Sequence, residues 1–251
     1  MPDATLTSRL AAAGLDWIVP DWRAPANVHA LSTTRHGGAA GLADFSHRNP
    51  DLARVRAELR RFVPAEPLWL SQAHGDAVVS ADHAHAKAPQ ADGIVASTTD
   101  AVCAILSADC LPVLFTDTAG TTVAAAHAGW RGLAAGVLEA TLAAMRVAPQ
   151  SVIAWLGPAS GPDAFEDGDD VHAAFCAADS GAQSCFIALR PGKWHADLYA
   201  LARRRLACAG VRAIHGGTRC TLRERECFFS YRRGGDDAPR RMATVIWRTR
   251  G

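Results

Sequence analysis

Three residues able to ligate a metal or act as nucleophiles each follow a short apolar run. His127 opens His127-Ala-Gly-Trp-Arg-Gly132 after Thr122-Val-Ala-Ala-Ala126. Cys110 closes Ser107-Ala-Asp-Cys110 after Val102-Cys-Ala-Ile-Leu106, and His74 lies in Ser71-Gln-Ala-His-Gly75 after Leu68-Trp-Leu70. Short apolar runs of this kind read as buried strands, so all three side chains are expected at strand ends. Two neutral imidazoles and one thiolate leave a fourth metal position open to water, the pattern of a catalytic zinc or copper centre. Taken singly, each has a structural explanation too: a hydrogen-bonded histidine, or a cysteine packed as a small hydrophobe. The recurrence of one context three times is what points to a shared ion.

Asp92, before Gly93, and Asp109, beside Cys110, are the carboxylates placed in sequence to act as general acid or base, or to orient a ligand histidine. Gly129-Trp-Arg-Gly132 precedes a helical pattern, where unpaired N–H groups favour an anion and Arg131 would clamp it. Alternatively, its glycines make a tight turn and Arg131 pairs with a structural carboxylate. Gly157-Pro-Ala-Ser-Gly-Pro162 allows close backbone approach to a ligand, or is a plain loop. Phe228-Phe-Ser-Tyr-Arg-Arg233 offers aromatics for stacking and arginines for an anion, or is a strand with one buried and one charged face.

Strand-like runs recur at residues 28–34, 68–74, 77–82, 93–97, 101–106, 112–117, 121–126, 151–156, 211–215 and 242–248. Many are too apolar to alternate with water-facing residues, which predicts a sheet covered on both faces. From Leu133, the apolar positions Val137, Leu138, Leu142 and Met145 make one helical stripe. Further helices are expected over 51–62 and over 195–209, the latter ended by Gly210. No linker or internal period divides the chain, so residues 1–251 read as one mixed α/β domain, with 1–27 an N-terminal extension of it. Residues 84–91 read as a surface loop.

With 251 residues, 49% hydrophobic and 20% charged, the chain has ample material for a core. A formal charge of +1 supplies no field for nucleic acid or anionic membrane, which leaves a small molecule as the expected partner. No apolar run is long enough to span a bilayer and no export signal opens the chain, so a cytoplasmic location is expected. Seven cysteines, odd in number and without a Cys-x-x-Cys pair, then read as reduced thiols.

Taken together, Ser32-Thr-Thr-Arg-His-Gly-Gly38, Ser71-Gln-Ala-His-Gly75, Ala91-Asp-Gly93, Ser107-Ala-Asp-Cys110, His127-Ala-Gly-Trp-Arg-Gly132, Gly157-Pro-Ala-Ser-Gly161 and Phe229-Ser-Tyr-Arg-Arg233 resemble the YfiH family, also called the laccase-domain or multicopper polyphenol oxidase family. The resemblance runs from about residue 28 to the C-terminus. It implies a single α+β domain of mixed β-sheets flanked by helices, similar to the catalytic domain of cytotoxic necrotizing factor. It implies that His74, Cys110 and His127 are the metal and catalytic set, with zinc expected and copper the alternative. It further implies a purine nucleoside phosphorylase acting on adenosine, inosine, guanosine and methylthioadenosine, with adenosine deaminase activity. The chain departs from the family in residues 41–51, a shortened loop where Asn-Leu and Gly-Asp elements are usual, and at Ser160, where isoleucine is common.

On that reading Arg35, Gln72, Arg131 and Arg232 are expected to bind substrate, with Arg35 and Arg131 meeting phosphate, in a protein acting as a monomer. Three other functions compete. Cys110 as nucleophile with His127 as base would make a cysteine-dependent amidase editing peptidoglycan precursors. Copper-dependent phenol oxidation would need several copper ions, whereas only two of the 10 histidines lie in strong motifs. A non-catalytic nucleoside sensor would bind metal without turnover.

Overall fold

The computed structural model describes residues 3–250. In chain order the helices and strands are α1 (Ala4–Ala12), β1 (Val28–Ser32), α2 (Leu52–Arg60), β2 (Val78–Ser80), β3 (Gly93–Ala96), β4 (Cys103–Ser107), β5 (Leu111–Asp117), β6 (Val123–Ala128), α3 (Trp130–Ala135), α4 (Val137–Met145), β7 (Val152–Leu156), β8 (Glu166–Gly168), α5 (Asp169–Cys176), β9 (Phe186–Arg190), β10 (Lys193–Ala196), α6 (Leu198–Cys208), β11 (Ala213–Gly216) and β12 (Met242–Arg248). A six-stranded mixed sheet runs β11-β7-β5-β6-β3-β2, a three-stranded antiparallel sheet runs β1-β12-β4, and a small antiparallel sheet runs β8-β10-β9. The class is α+β.

Side-chain alternation along the strands builds the layers. In β5 and β6, Val113, Phe115, Ala124 and Ala126 pack with Leu133, Leu138, Leu142, Leu201 and Leu206 of α3, α4 and α6. The intervening Leu114, Val123 and Ala125 meet Cys103, Ile105 and Ile246 of the three-stranded sheet. The far face of that sheet, with Leu31, Ala104, Val245 and Trp247, is covered by Leu6 and Leu10 of α1 and Val55 and Leu59 of α2. The order is therefore helix, sheet, sheet, helix. Both inner sheets are covered on two faces, which is why β5, β6 and β7 are buried at every position.

Several expectations need correction. Residues 68–74 form no strand. Its ladder pairing is limited to the isolated bridges Leu68↔Cys103 and Ser71↔Gln90, because the segment turns around Asp92 instead of running along a sheet. The helix expected from 195 starts at Leu198, where the Asp197 carboxylate caps the Ala200 N–H at 2.9 Å, and His195 belongs to β10. The stripe after Leu133 is two helices broken at Gly136, whose φ is +106°. Residues 228–233 form turns with Phe228, Phe229 and Ser230 buried and Tyr231 exposed. The β8-β10-β9 sheet was not anticipated, since β9 is exposed at four of its five positions and carries no burial pattern to read.

All seven cysteines are free thiols. Among the described residues no helix is long and apolar enough to cross a membrane.

Candidate metal centre

Strand register delivers the first pair of groups. In the antiparallel β3–β6 ladder Gly93 opposes Ala126, so Asp92 falls opposite His127, whose backbone N–H donates to the Asp92 carbonyl at 2.7 Å. The side chains meet as well: His127 Nδ1 lies 2.7 Å from Asp92 Oδ1, with both residues buried. The carboxylate also accepts three successive backbone N–H groups, from Ala73 (3.0 Å), His74 (3.0 Å) and Gly75 (2.8 Å). One buried carboxylate thus holds the His127 ring and the loop carrying His74. That loop needs such a clasp, because His74 sits at φ +62°, a left-handed conformation a β-carbon disfavours.

Cys110 comes from the tight connection between β4 and β5. Its Sγ lies 3.9 Å from His74 Nε2, and the His74 and His127 rings meet edge to face at 4.8 Å between centroids. One ligand atom from each of His74, Cys110 and His127 lies within 4.8 Å of the others. Around a tetrahedral zinc with ordinary Zn–N and Zn–S bonds, neighbouring ligand atoms stand about 3.5 Å apart, so small side-chain adjustments would close this set on one ion. The donor set fits in a second respect: Asp92 holds the proton on His127 Nδ1 and leaves Nε2 as the donor, a carboxylate–histidine arrangement that orients a metal ligand.

Gly129 is explained by the same crowding. A β-carbon there would lie 2.9 Å from Cys110 Sγ and 3.1 Å from His74 Cδ2, and one on Gly132 would lie 2.8 Å from the Gly75 carbonyl oxygen. Both glycines of the motif therefore let the backbone pass close to the site.

Burial by itself pushes the Cys110 thiol up, but the His127 imidazolium and hydrogen bonds with His127 and His74 outweigh it and bring the thiol down to about 6. Burial likewise pushes His127 down, and the Cys110 thiolate and Asp92 carboxylate overcome it, raising His127 to about 9. Each group thus favours the charged form of the other. Asp92 is held below the usual carboxylate range: burial opposes this, and hydrogen bonds from His127 and the Gly75 N–H prevail.

The three groups open onto a cavity of about 1120 Å³. Gln72 lines it, its amide joined to the Leu106 backbone by two 2.8 Å hydrogen bonds that take the place of strand pairing to β4. Arg131 lines it too, exposed, with its guanidinium 4.4 Å from the Trp130 ring and no hydrogen bond or ion pair among the described residues. Arg232 lines it as well, donating to the Glu166 carbonyl (2.6 Å) and Asp167 Oδ1 (2.9 Å) and stacking over Phe165. Asp109 borders the cavity with both carboxylate oxygens hydrogen-bonded to protein groups. Arg35 does not line the cavity; it donates to the Arg225 carbonyl and sits beside Asp237 and Phe229.

Sequence reading missed Trp69, Phe165, Arg56 and Arg241, which also line the cavity, and the 45–48 segment with His47 and Arg48. That segment belongs to the loop over residues 41–51. It reaches the cavity because Asp44 accepts the Arg241 N–H at 3.0 Å while the Phe45 N–H donates to the Arg241 carbonyl at 2.9 Å. An aspartate between Ala43 and Phe45 gave no signal of this. Ser160 lies outside the cavity, its N–H on the Asp109 carbonyl at 2.9 Å.

An α+β fold with a His/Cys/His set lining a large cavity is the class these features define. The chain belongs to the YfiH family, whose model, described as multi-copper polyphenol oxidoreductase laccase, matches residues 29–249. It is similar to the purine nucleoside phosphorylase YfiH of Escherichia coli (strain K12), with 47% identity over 92% of this chain and 98% of that protein. It is also similar to a purine nucleoside phosphorylase of Pseudomonas aeruginosa, with 45% identity over the same shares. A crystal structure of a Neisseria meningitidis protein superposes with a TM-score of 0.88 at 47% identity, covering 94% of this chain and all of that one.

Proposed function

We propose that this chain is a zinc-dependent purine nucleoside phosphorylase acting on adenosine, inosine, guanosine and methylthioadenosine. The observation that carries the reading is the cavity, lined together by a His/Cys/His set able to hold a metal, by aromatic rings and by an unpaired arginine. The names of the Escherichia coli and Pseudomonas aeruginosa relatives support it.

In phosphorolysis an oxygen of phosphate forms a bond to the ribose anomeric carbon while the bond to the purine nitrogen breaks. The purine leaves with the electron pair and takes up a proton. His74, Cys110 and His127 would hold the zinc, which would supply a Lewis acid in the cavity. Arg131, free of protein carboxylates, would hold phosphate against the developing positive charge on the sugar. Trp69, Trp130, Phe165 and Tyr231 would stack on the flat purine and exclude water around it. Asp92 would keep both imidazoles in place through the reaction. Adenosine deamination, in which water replaces the exocyclic amine and ammonia leaves, belongs to the same proposal, as does a cytoplasmic setting.

The test is to incubate zinc-loaded protein with adenosine and phosphate and to measure adenine, ribose 1-phosphate, inosine and ammonia. Formation of adenine and ribose 1-phosphate in equal amounts is expected. Neither product at any metal loading would refute the reading.

One observation favours a second reading. The Cys110–His127–Asp92 order, with the thiol brought down to about 6, is that of a cysteine nucleophile, a base and an orienting carboxylate. On this reading the protein is an amidase editing peptidoglycan precursors. Cleavage of a muramyl-serine amide by metal-free protein, without nucleoside turnover, would select it.

A further inference from the structure

We infer that Asp109 is a positioning residue that locks the Cys110 turn to the Tyr231–Arg232 stretch of the cavity lining, in place of the acid–base role its sequence position suggests. The residue is 5% exposed, and both carboxylate oxygens are occupied by the protein's own donors. Oδ1 accepts the Thr221 hydroxyl at 2.6 Å. Oδ2 accepts the Ser230 hydroxyl at 3.0 Å and the Arg232 backbone N–H at 2.7 Å. The Asp109 carbonyl accepts the Ser160 N–H at 2.9 Å. All four donors come from segments distant in sequence, so the residue before the thiol is fixed from three directions.

The backbone there is at φ +86°, which L side chains rarely adopt, and such a conformation persists only where surrounding bonds impose it. On the far side, the bond to the Arg232 N–H sets the turn that presents Tyr231 and Arg232 to the cavity. Arg232 then stacks over Phe165 at 4.1 Å. One carboxylate therefore fixes the distance between the thiol and the aromatic wall, and so the width available to a bound substrate.

The assay rests on the phosphorylase reading, and a second readout does not. An Asp109→Asn variant can keep the bonds from Ser230 and Arg232 on its amide oxygen and turn its NH₂ toward the Thr221 hydroxyl, and Asn tolerates a positive φ. An Asp109→Gly variant suits the backbone and loses all three bonds. The Thr221→Val/Ser230→Ala double variant loses two of them with the carboxylate intact. KM for the nucleoside is expected to rise at least about tenfold in Asp109→Gly, several-fold in the double variant and least in Asp109→Asn. Equal loss of kcat in Asp109→Asn and Asp109→Gly with KM unchanged would overturn the inference in favour of acid–base chemistry.

Alkylation of Cys110 by iodoacetamide in metal-free protein, read by peptide mass spectrometry, is the second readout. Its rate should change at least threefold or so in Asp109→Gly and in the double variant, and less in Asp109→Asn. If wild-type protein releases no adenine, the phosphorylase reading fails and this rate alone decides. Identical rates in all four proteins would overturn the positioning role.

Discussion

Replacing Asp92 by asparagine tests the clasp that joins the two imidazoles. All four groups around this carboxylate are donors: His127 Nδ1–H and the His74 N–H on Oδ1, and the Ala73 and Gly75 N–H groups on Oδ2. An amide has only one acceptor oxygen. Turned one way, its NH₂ meets the Ala73 and Gly75 N–H groups; turned the other, it meets the His74 N–H and can bond His127 only once Nδ1 has given up its proton, so either way two bonds to a charged acceptor are lost in a buried place. At roughly 1.5–3 kcal/mol each, the loss is about 3–6 kcal/mol, a large part of the ~5–15 kcal/mol that holds a domain folded. Even the lower figure corresponds to a fall of roughly 6–12 °C in Tm. The measurement is urea unfolding of wild-type and Asp92→Asn protein in EDTA, followed by tryptophan fluorescence, so that metal plays no part. Because the Asp92 carboxyl is held below its ordinary value when folded, its contribution is present above the unfolded value near ~4 and is lost as pH falls through the lower, folded value. The difference between the two proteins should be full at pH 7 and shrink in acid. A difference under about 1 kcal/mol at pH 7, or one independent of pH, would refute the clasp.

The Cys110 thiol should react with iodoacetamide in metal-free protein with a rate that rises through about pH 6, against about 8.5 for an unperturbed thiol, and His127→Gln should move that midpoint upward. His127, raised when folded, should add stability that is full below its unfolded value near ~6.5 and is lost as pH rises through about 9; a His127→Gln variant should lack that alkaline loss in a stability profile. Gly129→Ala forces a β-carbon to 2.9 Å from the sulfur, so metal affinity should fall about tenfold or more while circular dichroism stays native, as a metal titration would record. Gln72→Leu breaks both amide bonds to Leu106 and should cost about 1–3 kcal/mol in urea unfolding.

The inner layers were legible because burial on both faces writes itself into sequence as unbroken apolar runs, as in Val113–Phe115 and Val123–Ala126. Helices with a one-sided stripe, such as the one carrying Val55 and Leu59, were legible for the same reason. The triad was legible because each member follows within a few residues of a short apolar run. What pairs them was not: Asp92 meets His127 through cross-strand register, and no spacing rule links position 92 to 127 or to the 73–75 amides. The cavity walls were also hidden, since Arg48, Arg56 and Arg241 have the chemistry of any surface arginine until Asp44 ties its loop to residue 241. Arg35 shows the converse, a motif arginine directed by the Arg225 carbonyl and Asp237 to a place outside the cavity.

The central claim is that His74, Cys110 and His127 close on a single ion. Its most direct test is zinc titration of the metal-free wild type beside His74→Ala, Cys110→Ser and His127→Ala, with folding checked for each and bound metal counted by elemental analysis. One tightly bound zinc in the wild type, weakened about 100-fold or more in every variant, is predicted. Undiminished binding in any one of the three would remove that residue from the site and contradict the account.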